Sequence, residues 1–372
     1  MRLGKIAKIA LELLPVPIEH TGMTIFSSQA TGRFTVPWAR GWALACAGFL
    51  IYWPVAGRAG EGNGARLLVD NKGDCTLSII DPVSNQQIAA IPEEGVTGHE
   101  VVASPDGRRA FVPIYGNSGV GKPGTDGQLI RVMDLDKRAI VGTIDFGRGI
   151  RPHCARIGPR NGLLYVTTEL DQDITIIDPG TLKILGTVPT GQAESHMLII
   201  SSDGRRGFTA NVGPGTVSVL DLELNRLLKV IPVCANTQRI AISRDDRWVF
   251  TADQTKPQLV VIDTAKQEVA RRIDLPASAY GTDVTPDGRY LMAALPGTNQ
   301  AGVVDLQTMT CVRTIPVPAE PQEVLVRPDG AVAYVSCITS KQVAVIDLKT
   351  WQVSALIATG KGTDGLAWAA AR

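Results

Sequence analysis

Residues 196–221 read HMLIISSDGRRGFTANVGPGTVSVLD, and this stretch decides the fold. His196 to Ile200 is an apolar run, Ser201-Ser202-Asp203-Gly204 turns the chain, Arg206 to Ala210 is a second run, and Thr216 to Leu220 is a third that ends on Asp221. Leu227 to Ile231 supplies a fourth. Short apolar runs bounded by Gly, Pro, Asn and Asp are the pattern of half-buried antiparallel strands. The unit is four strands.

The unit recurs down the chain. Its first position is held in turn by His99, His153, His196, Gln238, Tyr280, Gln322 and Asp364, at spacings of 54, 43, 42, 42, 42 and 42 residues. Asp81, Asp134, Asp178, Asp221, Asp263, Asp305 and Asp347 keep the same beat, each closing an apolar run. A period of this length carried by short strands means sheet modules stacked around an axis. First strands occur seven times, ending with Asp364 to Trp368, and sets of second to fourth strands also occur seven times, beginning with Arg66 to Asn71. Pairing the two chain ends in one blade closes the circle and protects the sheet edges. The expected fold is an all-β, seven-bladed β-propeller of four-stranded blades over residues 61–372, closed by its C-terminal inner strand.

The stretches Pro105-Asp106-Gly107-Arg108-Arg109-Ala110-Phe111-Val112, Asn161-Gly162-Leu163-Leu164-Tyr165-Val166 and Pro328-Asp329-Gly330-Ala331-Val332-Ala333-Tyr334-Val335-Ser336 carry a further resemblance. They resemble the YVTN-repeat propellers, a family that includes bacterial exported proteins similar to YncE. The likeness spans nearly all of 65–370 and implies an extracytoplasmic location. It shapes turns and blade packing, and family members differ in what they bind.

Residues 1–60 stand outside the repeat. Arg33 and Arg40 precede an apolar run from Trp42 to Ala56, broken by Pro54 and followed by Gly57-Arg58-Ala59. That run is short for a membrane span and fits a secretory signal cleaved near Ala59. An uncleaved N-terminal anchor is the alternative, and Met23 is a second candidate start. The expected location is periplasmic or secreted, with membrane attachment only if 42–56 is retained.

A net charge of +1 gives no general pull toward nucleic acid, so none is expected as a partner. The cysteines beyond the leader, Cys75, Cys154, Cys234, Cys311 and Cys337, show no C-x-x-C spacing, and no C-x-x-C-H haem-attachment motif is present. No G-x-S-x-G elbow is placed for a serine triad.

Three histidines at one repeat position are the chemical signal. The position begins the innermost strand, where blades converge, so His99, His153 and His196 should meet near the channel axis. Three imidazoles with Asp364 as a fourth ligand would suit one transition-metal ion, Zn, Cu or Fe. The alternative is a polar ligand pocket without metal, lined by Arg151, Glu169, Gln238, Tyr280 and Gln322. Glu169 closes a strand on the histidine face, Arg151 would hold an anionic group, and strand alternation would turn Glu100 away.

His99 to Asp134 spans 35 residues, against 25 from His153 to Asp178, so the extra length falls in the glycine-rich loop Tyr115–Gly127. It connects the second and third strands on the face where the first strand starts, and so overhangs the histidine end. Two functions stay open. One is an exported YncE-like propeller that binds a small molecule, glycan or protein at that end. The other is a metal-dependent enzyme, a lactonase-like hydrolase or an oxidoreductase, using the three histidines.

Overall fold

The structure is a computed structural model in which residues 64–371 are described. The expected leader, with the apolar run 42–56 and the expected cleavage near Ala59, lies outside the described residues. Seven four-stranded antiparallel sheets follow one another around a ring. Blade 1 combines Arg66–Asn71, Thr76–Asp81 and Gln86–Pro92 with the C-terminal strand Thr363–Ala369. Its closing register pairs Leu67 with Trp368 and Leu68 with Ala367, as strand counting required. The inner strands of blades 2 to 7 are Val102–Ala103, Pro152–Ile157, Ser195–Ile200, Thr237–Ile242, Thr282–Val284 and Pro321–Val326. Among the described residues the helical elements are two short 3-10 turns, Glu169–Asp171 and Pro296–Thr298.

Packing between neighbouring blades holds the ring. Met197, Phe208, Val217 and Val219 of blade 4 share one buried cluster with Ile174 and Val188 of blade 3 and with Ile240, Val249 and Val260 of blade 5. Each fully buried aliphatic side chain contributes about 1.5–3 kcal/mol. The recurring aspartates have a local cause. Asp178 Oδ1 accepts the Gly180 N–H at 2.8 Å, and Asp305 Oδ1 accepts those of Gln307 and Thr308 at 2.8 and 3.0 Å, closing the turns between third and fourth strands.

The inner strands carry an irregularity that the periodicity did not announce. In blade 4, Ser195 pairs with Asn211 but Met197 pairs with Ala210, so one extra residue stands at His196. Blades 3, 5 and 7 show the same slip, between Pro152 and Ala155, Thr237 and Ile240, and Pro321 and Val324. In blade 2, Gly98 pairs with Ile114 and Val102 with Phe111, which places the extra residue in the His99–Glu100 region. A bulge breaks strict alternation and re-aims side chains. Glu100 is therefore not turned away. It is 3 % exposed and bonded to Arg239 of blade 5, a partner reachable only across the axis.

Candidate functional site

The bulges bring the three imidazoles together at one end of the channel. His153 and His196 stack with ring centroids 3.6 Å apart and planes at 27°. His99 meets His153 edge-on at 5.6 Å. Tyr115, at the base of the long loop, packs against all three, with centroids 4.9, 5.1 and 5.7 Å from His99, His153 and His196. Burial pushes the His99 imidazole down to about 4 and that of His153 well below its ordinary range, so both are neutral at physiological pH. The Nδ1 atoms of His153 and His196 are buried without a hydrogen-bond partner among the described residues. Such unpaired buried atoms are uncommon and call for a physical reason.

Glu169 lies beside them, just after the second strand of blade 3, where the chain makes a 3-10 turn. Its Oε2 accepts the Tyr115 hydroxyl at 2.5 Å and stands 3.5 Å from His196 Nδ1. Its Oε1 accepts the Gly121 N–H at 3.2 Å and Arg151 Nη1 at 3.0 Å. Burial would raise this carboxyl, but the His196 ring and the Tyr115 hydroxyl outweigh it and hold the group down at about 2.

The Tyr115–Gly127 loop folds over this end. Its stem is tight: a Cβ on Gly116, at φ +116°, would meet Thr125 O at 2.1 Å, and one on Gly127 would meet Ile114 O at 1.7 Å. Arg151 ties the loop down from below, giving Nε to Asp126 at 2.7 Å and Nη2 to the Lys122 carbonyl at 2.6 Å. The guanidinium expected to hold an anionic ligand group is thus committed to the protein's own carboxylates. Beside the loop a cleft of about 340 Å³ remains, lined in part by Gly121, Lys122, Arg151, Glu169, Gln172 and Glu194.

Asp364 stands beside His99, on whose imidazole its charge acts, and joins it to a second cluster around Arg239. Lys72 Nζ lies 3.1 Å from its Oδ2 and Arg239 Nη2 lies 3.5 Å from its Oδ1. Burial raises the Asp364 carboxyl, yet Lys72 and Arg239 pull it below the ordinary range. Arg239 also bonds Glu100, and Glu323 Oε2 at 2.6 Å, while its guanidinium covers the Tyr280 ring at 4.6 Å. Burial lifts the Glu323 carboxyl to about 8 despite that guanidinium, because Glu100 and Asp364 share the same positive charge. Gln322 gives its backbone carbonyl to the Gly281 N–H at 2.7 Å, and Gln238 is half-buried at its bulge.

The structure therefore gathers His99, His153, His196 and Glu169, and places Asp364 and Tyr280 around Arg239. Among the described residues no three His, Cys, Asp or Glu side chains are set to hold a metal ion, since stacked rings do not aim their nitrogens at one point. Sequence reading passed over Tyr115 as a site residue, and over Arg239 and Glu323 altogether. A signal existed: Glu100, Arg239 and Glu323 all occupy the position one after the histidine position, with opposite charges recurring there.

Comparison with known proteins supports the architecture. The family described as "Cytochrome D1 heme domain" matches residues 158–282, a stretch that includes Glu169, His196 and Arg239 but not His99, His153 or Asp364. No curated protein matches the chain. A solved structure titled "Kuenenia stuttgartiensis Hydrazine Synthase" is similar with a TM-score of 0.64 at 16 % identity, over 74 % of this chain and 90 % of that chain. At that identity the likeness is one of fold.

Proposed function

We propose that this protein is an exported binding propeller whose ligand site is the lidded, histidine-bearing end of its channel. The observation that carries this reading is the buried Nδ1 of His153, which has no hydrogen bond among the described residues, stacked on His196, whose own Nδ1 has only the Glu169 carboxylate at 3.5 Å. Burying a polar atom without a partner costs about 1–3 kcal/mol. A small polar ligand that hydrogen-bonds these imidazoles would remove that cost, and the neighbouring cleft reaches Glu169, the carboxylate that faces His196 Nδ1. Export rests on the residue pattern at 42–59 and on the YVTN resemblance. No helix among the described residues is long and apolar enough to cross a membrane.

A transition-metal ion is the second reading, favoured by the neutral state of His99 and His153, since neutral imidazole is the ligating form. It requires His153 to leave its stack on His196, so that nitrogens from separate blades can face one ion. Haem, which the partial family match brings to mind, does not fit this arrangement. A flat macrocycle needs a slot beside its axial ligand, and here Tyr115 and the imidazoles fill the space among themselves at 3.6–5.7 Å.

The test is to purify the untagged protein from a native-like host, denature it, and analyse what is released by mass spectrometry and elemental analysis. A species present at about one per chain, and missing from a His153→Leu/His196→Leu variant, supports the site; elemental analysis separates a metal from an organic ligand. An empty protein that also takes up neither Zn²⁺, Cu²⁺ nor Fe²⁺ in calorimetry overturns it.

A further inference from the structure

We propose that Glu169 is both the main latch of the Tyr115–Gly127 lid and the positioning residue of His196, so that releasing this one carboxylate opens the histidine end. The two oxygens divide the work. Oε1 receives the lid backbone, through Gly121 N–H at 3.2 Å, and the lid's anchor, Arg151, at 3.0 Å. Oε2 receives the Tyr115 hydroxyl at the lid base, at 2.5 Å, and faces His196 Nδ1 at 3.5 Å. Charge-assisted hydrogen bonds of this kind are roughly twice as strong as neutral ones, and here they converge on one side chain that is 2 % exposed.

The rest of the lid is lightly held. Residues 121–126 are exposed, and apart from Arg151 their hydrogen bonds to the body run through Glu169. Arg151 itself is fixed at φ +55°, a left-handed conformation unusual for a residue other than glycine, which aims its fork at Asp126, Lys122 and Glu169 together. Removing Glu169 would loosen Gly121, Tyr115 and Arg151 at once. On the imidazole side, a carboxylate facing Nδ1 favours the tautomer with the proton on that atom, and so fixes which nitrogen of His196 is left as acceptor or ligand. This inference rests on the histidine end being a ligand site for its purpose, but the latch exists and can be measured with no ligand present.

The experiment uses the full chain and two variants, Glu169→Gln and Asp126→Asn. Hydrogen exchange reports the lid amides at 116–126, labelling by diethyl pyrocarbonate reports access to His99, His153 and His196, and imidazole ¹⁵N shifts report the His196 tautomer. Glu169→Gln should raise lid exchange and histidine labelling about tenfold, with exchange in the blade strands unchanged, and should alter the His196 tautomer population. Asp126→Asn, on the exposed side of the lid, should raise lid exchange about threefold and leave the tautomer as it was. Lid exchange and labelling at the wild-type level in Glu169→Gln would overturn the latch, and an unchanged tautomer in that variant would overturn the positioning role. Should Glu169→Gln fail to fold, Asp126→Asn decides the latch and a Tyr115→Phe variant, which removes one bond to the same carboxylate, must shift lid exchange in the same direction. An empty protein in the release experiment above would remove the proposed ligand and leave these results standing.

Discussion

The two polar clusters of the channel are both buried and differ in how much opposite charge is paired inside them. Around Arg239, a buried cation is met by Glu100, Glu323, Asp364 and the Tyr280 ring, and Lys72 supports Asp364. At the histidine end, among the described residues, His153 Nδ1 has no hydrogen bond, His196 Nδ1 has only Glu169 at 3.5 Å, and the roof is a loop rather than a strand. The histidines come from blades 2, 3 and 4, and Arg239, Tyr280, Glu323 and Asp364 from blades 5, 6, 7 and 1, with Glu100 of blade 2 reaching the second cluster. Arg239 Nε and Asp364 Oδ1 also lack a hydrogen bond among the described residues, so the contrast is one of charge: ion pairs across the axis specify how blades meet, whereas neutral imidazoles beside a loop are open to something that arrives.

The largest test of this contrast removes the cation. Arg239→Ala leaves Glu100 without its cation and removes a partner from Glu323 and Asp364, and breaking a buried ion pair from one side costs about 3–5 kcal/mol, so denaturant unfolding should show a loss of that order. By contrast His153→Leu exchanges an unsatisfied polar ring for an apolar one, and stability should change by less than about 1 kcal/mol. If the two substitutions cost the same, the contrast between the clusters fails.

A pH series sharpens it. The Glu323 carboxyl is raised from its ordinary 4.5 to about 8, so between those values the folded protein holds a proton that the unfolded chain has released. Stability should fall as pH rises through this window, and Glu323→Gln should flatten that slope. Glu169 acts in the opposite sense. Held at about 2, it contributes stability above 4.5 that is lost as pH falls toward about 2, and Glu169→Gln should weaken that acid-side loss.

The smallest effect belongs to the lid. Replacing 116–126 by a turn of the length found in blade 3 should change stability by about 1 kcal/mol or less, because the exposed part of the loop buries little and its closure entropy depends weakly on length. The same deletion should expose His99, His153 and His196 to labelling. A large loss of stability would mean that the loop is part of the ring rather than a cover on it.

The chain alone settled the ring. Period, turn aspartates and the odd pairing of its two ends are local or counting features, and the closure of Arg66–Asn71 by Thr363–Ala369 follows from them. The convergence of His99, His153 and His196, and the place of the long loop, were legible for the same reason: residues at one repeat position must share one height on the axis. What the repeat could not carry is the bulge, because an extra inner-strand residue leaves the period unchanged while shifting which side chains face inward. Hence Glu100 was assigned the wrong face, Arg239 and Glu323 went unread, and the pairs that Asp364 makes with Lys72 and Arg239, besides its charge interaction with His99, were not foreseen. Tertiary structure alone decided these contacts, since Glu100 and Arg239 lie 139 positions apart and meet only because a closed ring brings opposite blades within reach of one guanidinium.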